Sequence, residues 1–248
     1  MAFIHDENKS IFYELHGKGD AILLLQGNTA SSIVFHDTGD LQFFSKNHCV
    51  ITLDFCGTGK SSRMPVWPLD WYMQAVDDAY DVLLHTDKRH VKVIGSSGGA
   101  LIGFWLAIRH PEIVNCLVAD SFGLDYAKQM PDVVRTTRKN YSPDQIAFWQ
   151  YCHGEDWQQV VEADTDFILR YAGAQSGAQV DIPIELIQCP VLITASRKDD
   201  LIPNIVEQVE ISSRRLVQSQ IYLHSQGNHP LMWSESSIFR EKAAQFLV

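Results

Sequence analysis

Residues Ala21–Leu25 read AILLL, a run too short for an ordinary helix and lacking the polar alternation of a half-exposed strand. Such a run suits a strand whose two faces are both covered, as in a parallel sheet flanked by helices. Similar runs recur at Val50–Leu53, Val91–Ile94, Cys116–Ala119, Val191–Thr194 and Ile221–Leu223. Between them lie amphipathic stretches that read as helices: Ser31 to Ser45, Trp71 to His85, Ala100 to Arg109, Asn204 to Ser212 and Ser234 to Phe246. Strands alternating with helices imply βαβ units, hence an α/β fold with a mostly parallel central sheet and helices on both faces. Ahead of them, Phe3–His5 and Ile11–His16 flank the polar turn Asp6–Lys9 and read as a hairpin at one sheet edge.

One stretch breaks this rhythm. From about Gly123 to Gln188 no strand signal occurs, while Pro143–Tyr151 and Glu155–Ala172 look helical. A structureless loop of that length is uncommon inside a compact domain. The expectation is a helical insertion after the sixth strand, residues 123–187, acting as a lid on a core domain formed by residues 1–122 and 188–248. The run Ala172–Gly177 reads as its most flexible part. Its aromatic residues, among them Tyr126, Tyr141, Phe148, Trp149, Tyr151, Trp157, Phe167 and Tyr171, either line a substrate cavity or pack the insertion onto itself and the core.

Charge and cysteine usage narrow the partners. The net charge of −10 repels polyanions, which argues against nucleic acid. No apolar run approaches the roughly 20 residues of a membrane span, and Met1–His16 lacks the basic and apolar regions of a secretory leader. Five cysteines, Cys49, Cys56, Cys116, Cys152 and Cys189, lie far apart, and an odd count fits poorly with a disulfide framework. These features point to the cytoplasm. Neither H-x-x-x-H nor H-E-x-x-H spacing occurs, so no metal is expected.

The chemistry centres on Gly95-Ser96-Ser97-Gly98-Gly99, a G-x-S-x-G pattern. VKVI precedes it as a strand and ALIGFWLAIRH follows as a helix, the setting of a nucleophile elbow. There the backbone is strained so that the serine hydroxyl stands above the sheet, and small residues two before and two after avoid neighbouring backbone. Gly98, at the helix start, would offer its backbone N–H to a developing oxyanion. A phosphate cradle is the competing reading of such a turn, but GSSGGA is not G-x-G-x-x-G. Gly57-Thr-Gly-Lys-Ser61 imitates the tail of a P-loop, yet Asp54 stands where the first glycine of that loop belongs.

Further motifs follow in a fixed order: Leu25-Gln26-Gly27-Asn28, Asp54-Phe-Cys-Gly57-Thr-Gly59-Lys-Ser61, His110-Pro-Glu-Ile-Val114, Ser196-Arg-Lys-Asp199-Asp200-Leu-Ile-Pro203 and Ser225-Gln-Gly227-Asn-His229-Pro230. With them the chain resembles the α/β-hydrolase superfamily from near its first strand to its last helix. The resemblance implies Ser97 as nucleophile, Asp199 as triad acid and His229 as base, in the family order. It also implies the backbone N–H groups of Asn28 and Gly98 as the oxyanion hole. Gln26 replaces the family's histidine, Cys56 its arginine and Ser196 its glycine. Asp54 reads as a structural turn residue hydrogen-bonded near the strand end. Asp200 and Asp120 are the other carboxylates that could serve the histidine. No cofactor is implied. The implied activity is that of a carboxylesterase acting on a small ester. A thioesterase, amidase, lactonase, C–C bond hydrolase or perhydrolase would use the same triad. A serine nucleophile argues against a dehalogenase or an epoxide hydrolase. A different class is a non-catalytic ligand receptor on the same scaffold. The sequence assigns no oligomeric state.

Overall fold

The computed structural model describes residues 2–6, 9–124, 126–174 and 182–248, the side chains of 126–129 apart. Its strands are β1 (Ala2–His5), β2 (Ser10–His16), β3 (Ala21–Leu25), β4 (Cys49–Leu53), β5 (Val91–Ser96), β6 (Val114–Asp120), β7 (Val191–Ser196) and β8 (Ser219–His224). They form one 8-stranded sheet in the order β1-β2-β4-β3-β5-β6-β7-β8. β1 and β2 pair antiparallel, and β2 joins β4 antiparallel. Every pairing from β4 to β8 is parallel.

The continuous apolar runs are explained by the two cores. Alternate residues of a strand point to opposite faces. In β3, Leu23 and Leu25 enter one core while Ile22 and Leu24 enter the other. Helices α3 (Trp71–His85), α4 (Gly98–Arg109) and α8 (Ile205–Arg215) cover the first face. Helices α1 (Val34–Asp37), α2 (Asp40–Phe44) and α10 (Ser236–Phe246) cover the second, with Phe35, Phe44 and Phe239 packed against it. Each such fully buried side chain contributes about 1.5–3 kcal/mol by leaving water.

Two helical expectations are corrected in detail. Ser31–Ser45 is not one helix: Gly39, at φ +80°, separates α1 from α2. The last segment divides into α9 (Leu231–Ser234) and α10 at Glu235, whose φ of −132° is not helical. Between β6 and β7 lie α5 (Tyr126–Thr137), α6 (Pro143–His153) and α7 (Trp157–Ala174). Two of these match the sequence reading. Ser142 and Gln145 close a reciprocal capping box at the start of α6, with Pro143 in its first turn. The third, α5, carries Pro131 inside it, which hid it from a reading based on helix propensity. Residues 175–177 of the run Ala172–Gly177 lie outside the described residues.

β3 lies between β4 and β5, so the chain leaves β3 toward one side and returns to build the other. Open α/β sheets hold their ligand crevice outside the carboxyl ends of strands at such a reversal. The loops after β3, β5, β7 and β8 carry Asn28, Ser97, Asp199 and His229 respectively.

Candidate active site

Ser97 joins β5 to α4 with φ +55° and ψ −120°, a backbone state that L-residues other than glycine rarely adopt. Its backbone N–H donates to the Asp120 carbonyl at 2.8 Å, so the turn is tied to the neighbouring strand. The flanking glycines are demanded by space. A Cβ on Gly95 would stand 2.3 Å from the Gly99 carbonyl oxygen, and one on Gly99 would stand 2.2 Å from that of Leu25. The backbone of β3 and the elbow therefore pack too closely to admit a side chain between them.

His229 faces this serine. Its Nε2 lies 3.0 Å from Ser97 Oγ, and its Nδ1 lies 2.9 Å from Asp199 Oδ2. The Asp199 side chain is fully buried and that of His229 is 9% exposed, so little water competes for either bond. Asp199 Oδ1 accepts the backbone N–H groups of Leu201 at 3.0 Å and Ile202 at 2.8 Å. Both oxygens of the carboxylate are thereby held, one by its own turn and one by the imidazole. Asp200 holds the same histidine differently, accepting its backbone N–H at 2.9 Å. Asp120 is occupied elsewhere: it accepts from Thr194 Oγ1 at 2.6 Å and from the Met232 N–H at 3.0 Å. Burial foremost raises its carboxyl to about 6. Ser196, at the usual glycine position, donates to the carbonyls of Gln226 and Gly227 and accepts the Lys198 N–H. It thus clamps the acid's turn to the histidine's loop, a role its sequence position did not announce.

Opposite the elbow stands Asn28. A Cβ on Gly98 would lie 3.2 Å from the Asn28 backbone nitrogen and 1.9 Å from its Oδ1, so the two residues border one spot beside Ser97. The Asn28 side chain is anchored twice. Tyr72 donates its hydroxyl to Oδ1 at 3.2 Å, and Nδ2 donates to Asp164 Oδ1 at 2.6 Å. Asp164 in turn pairs with Arg138 through its other oxygen. His153 braces the next residue: its Nδ1 accepts the Gly59 N–H at 3.0 Å, which leaves Nε2–H to donate to the Thr29 carbonyl at 3.1 Å. Burial lowers this imidazole to about 4, so it is neutral near pH 7. Asp54 spans Ser32 and Lys60 with its two oxygens, each accepting a backbone N–H at 2.7 Å, as the structural reading of that turn requires. Gln26 is 2% exposed, and neither atom of its amide has a partner among the described residues. No local sequence motif marks Tyr72, Arg138, His153 or Asp164.

The model of the alpha/beta hydrolase fold family matches residues 20–144. The chain belongs to that family. The human serine hydrolase BPHL is 24% identical over 244 residues, covering 96% of this chain and 82% of that protein. The solved esterase EaEST from Exiguobacterium antarcticum superposes with a TM-score of 0.75 at 18% identity, covering 98% of each chain. The N-acyl homoserine lactone degrading enzyme Est816 does so with a TM-score of 0.73 at 19% identity, covering 99% of this chain and all of that one. The two structures share the fold.

In this hydrolase a cavity of about 240 Å³ opens between the elbow and the helices that follow β6. Ser97, His229 and Asn28 line it from the sheet side, and Arg138, Phe148 and Trp149 line it from the helical side. Of the described aromatics in the helical segment, Phe148 and Trp149 therefore meet the cavity; the Tyr126 side chain lies outside the described residues. Tyr141 and Trp157 pack against Trp149, and Phe167 packs against Trp67, Trp71 and Tyr72. Among the described residues no helix is long and apolar enough to cross a membrane.

Proposed function

We propose that this hydrolase cleaves a carboxylic ester of a small substrate through an acyl-serine intermediate on Ser97. The observation that carries the reading is the single imidazole of His229, bonded to Ser97 Oγ on one nitrogen and to Asp199 on the other. A serine hydroxyl needs such a base to attack at neutral pH. Ser97 Oγ adds to the ester carbonyl while His229 Nε2 takes its proton. The oxyanion of the tetrahedral adduct is met by the N–H groups of Asn28 and Gly98, the latter at the positive end of α4. His229 returns the proton to the leaving alcohol, the C–O bond breaks, and the acyl group stays on Ser97. Water, deprotonated by His229, then releases the acid and restores the serine. Asp199 holds the tautomer with Nδ1–H and stabilises the imidazolium in both halves.

Residues 123–187 serve as the lid of this site. The cavity walls contributed by Thr137, Arg138, Gln145, Phe148 and Trp149 support that role, and the volume suits a small acyl or alcohol group. Five free cysteines suit a reducing compartment, the cytoplasm. A fluorophosphonate probe tests the reaction type. It should label the folded wild type and leave Ser97→Ala unlabelled. A folded wild type that stays unlabelled overturns the proposal. A series of oxygen esters, thioesters and lactones then ranks the acyl acceptors, and faster turnover of any other class than of oxygen esters would displace the ester assignment.

A further inference from the structure

A second cluster of chemically able side chains lies away from the triad, at the antiparallel edge of the sheet. Glu14 and His16 are two residues apart on β2 and so project from the same face of the strand. His36, from α1, completes the group. Glu14 Oε2 lies 2.9 Å from His36 Nε2 and 3.5 Å from His16 Nε2, and all three donor atoms lie within 4.8 Å of one another. The Glu14 carboxylate is 3% exposed. His16 Nε2 is screened from solvent yet makes no hydrogen bond among the described residues. Two imidazoles thus converge on one buried carboxylate oxygen.

We propose that Glu14, His16 and His36 form a binding site for a zinc-class divalent metal. Zinc binds imidazole nitrogen and carboxylate oxygen at about 2.0–2.2 Å, which separates tetrahedral donors by about 3.3 Å. The Glu14–histidine separations of 2.9 and 3.5 Å bracket that value, and the three donors all lie within 4.8 Å of one another, so a metal seats as the two imidazoles close on it. Two nitrogens with one oxygen favour a borderline first-row ion over calcium or magnesium, which prefer oxygen-only shells. Glu14 and His36 also line a separate cavity of about 520 Å³, which leaves room for water or a small anion at the fourth position. The metal takes no part in the triad chemistry. It clasps β2, the second strand of the sheet, to α1, the helix that follows the Asn28 loop. Glu-x-His on a strand, completed by a histidine from a distant helix, has no helical histidine-pair spacing to mark it in the sequence.

The test uses the full-length, tag-free, chelator-treated protein and Zn²⁺ alone. Calorimetry should show one equivalent bound, and Zn²⁺ at 100 times its Kd should raise Tm by roughly 5–11 °C. His16→Ala and His36→Ala should each weaken binding at least about tenfold. Both side chains are about one-third exposed, so both variants should fold. Co²⁺ should give the visible d–d band of a low-coordinate nitrogen–oxygen site on the wild type, a readout that needs no variant. No uptake of Zn²⁺ by the wild type overturns the proposal, as does wild-type affinity in either variant. A Co²⁺ spectrum of a six-coordinate aquo ion does the same.

Discussion

Replacing Asp164 by alanine should lower Tm by about 6–20 °C and slow ester turnover in the same variant. The Asp164 side chain is fully buried and that of its partner Arg138 is 9% exposed. Removing one member of a buried pair leaves the other charge uncompensated and costs about 3–5 kcal/mol. At about 2–4 °C per kcal/mol for a chain of this size, that gives the stated range. Thr165 Oγ1 keeps one bond to Arg138 at 2.9 Å, a neutral partner that satisfies geometry but not charge. The kinetic effect follows from the other carboxylate oxygen. Asn28 Nδ2 loses its 2.6 Å bond, while Tyr72 still holds Oδ1. If the Asn28 N–H serves the oxyanion, kcat should fall by about 10- to 100-fold with a smaller change in KM. Asp164→Asn separates the two effects. It keeps an oxygen for Asn28 and removes the charge, so it should lose stability with a smaller loss of kcat. Adding Arg138→Met to Asp164→Ala should restore most of the Tm, because the stranded charge is gone. Thermal melts and steady-state hydrolysis of a chromogenic ester provide the readouts. An Asp164→Ala protein melting within 2 °C of wild type would refute the stability argument. Unchanged kcat in that variant would refute the coupling to Asn28.

His229→Ala should cut kcat by roughly 10⁴- to 10⁶-fold with a near-native melt, and normal turnover would eliminate it as the base. Gly99→Ala drives a Cβ to within 2.2 Å of the Leu25 carbonyl, so labelling of Ser97 should slow by about 100-fold in the soluble fraction; wild-type labelling would show the elbow to be looser than drawn. Gln26→Met removes a buried, unpaired amide and should stabilise the fold by about 1 kcal/mol, read as a Tm rise of about 2–4 °C. For pH, the His153 imidazole is lowered from 6.5 to about 4, so its contribution is whole above 6.5 and is lost as pH falls toward 4, by up to about 3 kcal/mol. Asp40 and Asp120, raised from 3.8 to about 6 chiefly by burial, act in the opposite sense, gaining stability as pH falls from 6 to 4. Whole-protein melts therefore mix the two, and the Tm gap between wild type and His153→Gln isolates His153. That gap should narrow from pH 7 to pH 4.5, and a widening gap would contradict the assignment.

What the sequence made legible, and what it hid, divides along a physical line. The central strands β3, β4 and β7 are readable because their own residues carry the signal: a strand with two buried faces must be largely apolar, as Ala21–Leu25 is. Ser97, Asp199 and His229 were readable for a related reason. Each sits in a short turn at the carboxyl end of a strand, and the turn's own backbone demands leave a mark, such as the glycines at 95 and 99. Helix ends were less readable, because Gly39 and Glu235 interrupt amphipathic patterns that otherwise run on.

The residues that support the site have no such local mark. Asn28 and Asp164 stand 136 positions apart, and Gly59 and His153 stand 94 apart. A buried carboxylate such as Asp164 reads in sequence as one more polar residue of an amphipathic helix, and only the arrival of Arg138 and Asn28 makes its burial affordable. The same division separates reaction from specificity. The proposed attacking group, base and acid stand on loops at the carboxyl ends of core strands, where local rules are strict. Arg138, Phe148 and Trp149, which line the helical wall of the cavity, belong to a segment held by side-chain packing and the buried Arg138–Asp164 pair. Substitutions there should alter which substrate is accepted, and how firmly Asn28 is held, before they alter the chemistry proposed for Ser97.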